Sequence, residues 1–107
     1  MLSIARSSVA EVIILARELD RAMPEFRGFV SRLPDEEQAE LVALMWIGRG
    51  AFEPEEWDEA LRTAVEEATS PTVDYLAGSP HLADHLENGL DALNIAARDE
   101  EDELYRS

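Results

Sequence analysis

Residues 41–47 (Leu-Val-Ala-Leu-Met-Trp-Ile) are seven consecutive apolar residues in an otherwise acidic chain, and they stop at Gly48-Arg49-Gly50. A helix that is apolar on every side has to be surrounded by other elements, because a surface helix keeps one polar face. The run is far short of the ~20 residues needed to cross a bilayer. It therefore marks the core. A second tryptophan, Trp57, follows directly after Glu53-Pro54-Glu55-Glu56 and opens the next segment.

The prolines divide the chain into helices. Pro24, Pro34, Pro54, Pro71 and Pro80 each precede helix-compatible residues, the first-turn placement that proline tolerates best. Ser70-Pro71 and Ser79-Pro80 pair a capping hydroxyl with such a proline. Ser8 with Glu11, and Asp35 with Gln38, have capping-box spacing. No segment shows sustained strand alternation, and no Asn-Gly or Asp-Gly hairpin turn occurs. These signals predict an all-α, single compact domain of four to five helices around a central apolar helix at about residues 36–47.

The first helix is predicted over residues 9–22, with Val9, Val12, Ile13, Ala16, Leu19 and Met23 on one face. Ile14 and Leu15 fall off that stripe, so this helix is expected to touch more than one neighbour, and Ile14 is a candidate for a dimer face. A short segment at residues 24–32 carries Phe26, Phe29 and Val30, weakened by Gly28 by about 1 kcal/mol relative to alanine. A helix over residues 54–68 has the narrow stripe Trp57, Ala60, Leu61, Ala64, Val65 and Ala68, opposite Asp58, Glu59, Arg62 and Glu66. A short turn at 71–77 ends at Gly78, and a last helix runs over about 80–97. The domain is expected to occupy residues 1–98, and residues 99–107 to form an acidic, disordered tail.

At 107 residues the chain suits one domain, and it has no cysteine, which removes disulfides, thiolate metal sites and a cysteine nucleophile. The net charge is −15, and all nine basic residues are arginine. A phosphate backbone is bound through a cationic surface that releases counterions, so direct nucleic-acid binding is disfavoured, as is an anionic membrane. The charge serves solubility and would steer a basic partner. Glu11 and Arg17 interrupt the apolar stretch after Arg6 too soon for a signal-peptide core, and a cytoplasmic location is expected.

The block from Asp35 to Trp57, centred on Glu40-Leu41-Val42-Ala43-Leu44-Met45-Trp46-Ile47-Gly48-Arg49-Gly50, resembles a bacterial family catalogued as domain of unknown function 3775. Tyr75-Leu76, Ser79-Pro80, Leu82-Ala83-Asp84 and Leu86-Glu87-Asn88-Gly89-Leu90 resemble it too. The likeness covers roughly residues 33–93. It implies a compact bacterial domain and supplies no catalytic residue.

Three sets of residues are candidates for chemistry or binding. Arg49, between two glycines, could present its guanidinium to a carboxylate or a phosphate, although phosphates favour helix N-termini and this is the opposite end. Equally, Gly48 or Gly50 is a left-handed cap, with Arg49 complementing the helix end or pairing with Glu53 or Glu56. Trp46 and Trp57, with Arg49, have the residue types of binding hot spots, or else both indoles lie in the core around the Gly-Arg-Gly turn, with Arg49 over one ring. His81 and His85 stand at i and i+4, a spacing from which both reach one metal ion, with Asp74 or Glu87 as a third ligand. The other reading is a pair of surface histidines, since Leu82, Leu86, Leu90 and Leu93 form the buried stripe. Adjacent carboxylates such as Glu55 and Glu56 diverge by about 100° on a helix and do not converge on a substrate.

The sequence thus points to a small, non-catalytic protein-interaction or regulatory module. Its expected partners are a basic protein or a second copy of the chain, with no cofactor. The alternative is a metal- or small-ligand-binding protein or enzyme using His81 and His85, or a pocket joining Arg49, Tyr75 and His85. A third reading is a nucleic-acid mimic built on a row of carboxylates.

Overall fold

The structure, a computed structural model, describes residues 2–68 and 71–106, with side chains as far as Asn94. It contains α1 (Arg6–Arg17), α2 (Leu19–Arg32), α3 (Asp35–Arg49), a 3-10 turn (Pro54–Glu56), α4 (Trp57–Glu66), α5 (Thr72–Ala77) and α6 (Leu82–Arg106). No strand occurs among the described residues. The fold is all-α, as the prolines and the lack of strand alternation predict. The last helix, expected to end near residue 97, is described as far as Arg106 and so takes in residues 99–106 of the expected acidic tail; their side chains and residue 107 lie outside the described residues.

Helix α3 is the centre. Every residue from Ala39 to Ile47 is buried, including Glu40. The helix packs against α6, α4 and α5, and the segment preceding α1 reaches it at Glu40. Burying a leucine, isoleucine or methionine side chain contributes about 1.5–3 kcal/mol, and among the described residues this helix supplies more of the buried apolar core than any other element. Asp35, Glu36 and Glu37 occupy its first turn, where negative charge complements the helix dipole. The capping box expected from Asp35 and Gln38 does not form. Pro34 is the cap residue, and Gln38 instead donates to the Leu33 carbonyl at 2.9 Å.

The two glycines that end α3 do different jobs. Gly50 is left-handed (φ 88°), with its N–H on the Ile47 carbonyl at 3.0 Å and the Ala51 N–H on that of Trp46 at 2.9 Å. This is a Schellman cap. Gly48 lies inside the helix, where a Cβ would fall 1.7 Å from the main-chain oxygen of His85 on α6. Gly89 on α6 reciprocates, since its Cβ would meet the Leu44 oxygen at 2.3 Å. The backbones of α3 and α6 therefore touch at their crossing, and only glycine permits it.

The stretch predicted as one helix over 9–22 is broken. Glu18 (φ −119°, ψ 31°) ends α1, and Ala22 (φ −108°, ψ 18°) is non-helical within α2. Pro24 explains the second break: it has no N–H to donate, and its ring crowds the carbonyl four residues earlier, so a regular helix cannot run through Ala22. The break lets α1 pack against both α2 and α6. Helix α1 also begins at Arg6 with Ala5 as cap residue, which places Ser8 in its first turn and not at the cap. The helix expected to begin at Pro80 starts at Leu82, because His81 is left-handed (φ 57°). No helix among the described residues is long and apolar enough to cross a membrane.

Candidate functional site

The structure separates the residues gathered around the Gly-Arg-Gly turn. Trp46 and Trp57 are buried, and Arg49 is exposed on the last turn of α3. The Trp46 ring stacks on Phe52 with centroids 5.8 Å apart, and its Nε1–H donates to the Tyr75 hydroxyl at 3.0 Å. A buried indole needs such an acceptor for its one donor. The ring over Trp46 is thus Phe52. Glu56 closes a capping box by accepting the Glu53 N–H at 2.8 Å. Among the described residues Arg49 joins no ion pair; the pairs are Arg17 with Asp84 and Glu87, and Arg27 with Asp74 at 2.6 Å.

His81 and His85 meet edge to face, with ring centroids 6.3 Å apart. His81 is exposed and His85 half-buried, with its Nδ1 fully buried and without a hydrogen-bond partner. The two residues considered as a third ligand are engaged elsewhere: Asp74 accepts from Arg27, and Glu87 from Arg17. Among the described residues no group of three His, Asp or Glu side chains is placed to hold a metal ion. Tyr75 is bound to Trp46, so Arg49, Tyr75 and His85 are not drawn together by any hydrogen bond.

Two features are not among the candidates read from the sequence. Glu40 is 1% exposed, and its carboxylate accepts the backbone N–H of Ser3 (Oε2) and of Ile4 (Oε1), both at 2.8 Å. The signal is present in the sequence: Glu40 is a charged residue at the head of a stretch with no exposed face. The second feature is a groove of about 560 Å³ between the start of α3 and α4. Ala39, Leu61 and Val65 supply its apolar lining, and Asp35, Glu36 and Gln38 its polar side. Helical spacing places Val65 on the buried stripe of α4, and the structure corrects this. That stripe is buried only at Trp57, Ala60 and Ala64, and Val65 remains 59% exposed in the groove.

The fold and its groove define an all-α helical domain that presents an apolar cleft bordered by carboxylates. The chain belongs to the family described as Protein of unknown function (DUF3775), whose sequence model matches residues 23–95. No curated protein and no solved structure matches it. The matched segment begins just after the Ala22 break and includes α3, α4, α5 and the start of α6.

Proposed function

We propose that this domain is a non-catalytic interaction module that docks a basic segment of a partner protein in the groove between α3 and α4. The observation that carries the reading is the groove itself, an apolar floor of Ala39, Leu61 and Val65 beside Asp35 and Glu36. An apolar anchor of the partner would cover Val65, and flanking arginines or lysines would meet the carboxylates. The net charge of −15 would accelerate the encounter with a basic partner. Peptide helices bind grooves of this kind through apolar residues spaced at i, i+3 and i+4. A metal at His81 and His85 has less support, since the carboxylates of Asp74 and Glu87, the third ligands considered for it, are in ion pairs. Arg49 supports a second contact point, because it is exposed at the opposite end of α3.

The reading is tested by fluorescence anisotropy with two labelled peptides of equal positive charge. One is an amphipathic leucine–lysine helix, and the other has its leucines replaced by serine. The account expects saturable one-to-one binding of the first and at least tenfold weaker binding of the second. Equal affinity for both would overturn it, because charge alone would then explain the interaction. Repeating the titration with Arg49→Ala decides whether that residue adds a contact.

A further inference from the structure

The polar edge of the α3–α4 groove offers acceptors that nothing among the described residues fills. Asp35 and Gln38 stand three residues apart at the start of α3, and both line the groove. Residues at that spacing are neighbours on one face of a helix. The half-buried Gln38 amide is held in one orientation, because its Nε2 donates to the Leu33 carbonyl at 2.9 Å. Its own carbonyl oxygen is left to accept. Among the described residues no donor reaches that oxygen or the Asp35 carboxylate, and Asp35 joins no ion pair. Glu36 adds a second carboxylate to the lining, and Glu37 stands in the same turn. Together these charges outweigh the roughly half-unit positive charge of a helix N-terminus, so the edge attracts a cation. Ala39, one turn on from Asp35, carries only a methyl group and leaves the apolar floor of Leu61 and Val65 uncovered beside it.

We infer that the groove selects arginine over lysine in the segment it docks: one guanidinium bonds both the Asp35 carboxylate and the Gln38 carbonyl, while an aliphatic neighbour packs on Leu61 and Val65. The inference rests on the docking role proposed for this groove and names the chemistry of its partner. A guanidinium is planar and carries five N–H donors in a fixed fork, so it serves two acceptors on one helix face at once. The ammonium of lysine is a compact point charge that holds its water more strongly, and it gives up more hydration to sit between the same two groups. The arginine stem can also lie along apolar surface with its charged head at the polar edge. A polycation without an aliphatic neighbour would meet the carboxylates and leave Val65, 59% exposed, uncovered. The partner class is therefore a segment that pairs an arginine with an aliphatic residue.

The experiment titrates three labelled amphipathic leucine peptides of equal charge, whose cations are all arginine, all lysine or all trimethyllysine, the last keeping its charge without a donor. Fluorescence anisotropy is measured with the wild type, with Asp35→Ala and with Glu66→Ala, a change of equal charge outside the groove lining; both positions are exposed. The wild type is expected to bind the arginine peptide about fivefold more tightly than the lysine peptide, and the trimethyllysine peptide least. Asp35→Ala should bring the three within about twofold of one another, and Glu66→Ala should keep the wild-type order. Equal binding of the arginine and lysine peptides by the wild type, with leucine still needed, overturns the inference and leaves the groove as a docking site. An arginine preference that survives Asp35→Ala overturns it too, because the guanidinium would then be bound elsewhere. Binding by no peptide, or binding that does not need leucine, removes the docking role and this inference with it.

Discussion

The peptide plane after His85 occupies the space that a side chain on Gly48 would need, since a Cβ there would lie 1.7 Å from the His85 oxygen. Leu44 and Gly89 repeat the arrangement one turn away on each helix. The closest approach of α3 and α6 is therefore a contact of main chain with main chain. It fixes how deeply the apolar residues of α6, Leu82, Leu86 and Leu93, reach into the core.

Alanine substitutions at the glycines should rank in a definite order of stability. Gly48→Ala and Gly89→Ala should cost at least the ~1–3 kcal/mol typical of overpacking, because backbone cannot rotate aside as a side chain can. Gly50→Ala meets open space but must hold φ 88°, for a cost of roughly 1–2 kcal/mol. Gly28→Ala, whose Cβ would meet only the end of Arg32 at 3.8 Å, should stabilise α2 by up to about 1 kcal/mol. Thermal unfolding of the four variants checks the order.

Glu40→Gln keeps one acceptor but turns an amino group toward the other backbone N–H. One of the two buried bonds disappears and a donor is left unpaired. The expected loss is about 1–3 kcal/mol by urea unfolding. Glu66→Gln, on the exposed end of α4, should stay within about 0.5 kcal/mol of the wild type.

Tyr75→Phe removes the acceptor of the Trp46 indole and nothing else from its surroundings. Since the bond is partly buried, the expected cost is about 1 kcal/mol. The fluorescence of Trp46 should change while Trp57, which does not bond to Tyr75, keeps its environment. Comparing Tyr75→Phe in the wild type and in a Trp46→Phe background separates the two indoles.

Helix formation is legible in the sequence because it depends on local signals. Prolines start helices, and a run of seven apolar residues in 41–47 has no face to show to water. The central helix accordingly lies at Asp35–Arg49, close to the expected 36–47. Pro24 marks the beginning of a segment, but its effect on the turn before it, at Ala22, emerges only from the backbone angles. Gly48 and Gly50 look alike in sequence; only the position of α6 makes one a packing residue and the other a cap. Glu40 stands out as a charge within an enclosed helix, yet its partners come from the distant segment preceding α1. The groove is hidden for a related reason. Helical spacing puts Val65 in line with Trp57 and Leu61, and the packing of α4 on α3 decides where burial stops.

Val65→Glu separates a groove that binds through an apolar anchor from attraction by charge alone. The substitution adds negative charge at a position 59% exposed, so it leaves the core intact. The account predicts at least tenfold weaker binding of the amphipathic basic peptide, despite the added attraction between opposite charges. Unchanged or tighter binding would contradict it, because the peptide would then be responding to charge and not to the groove.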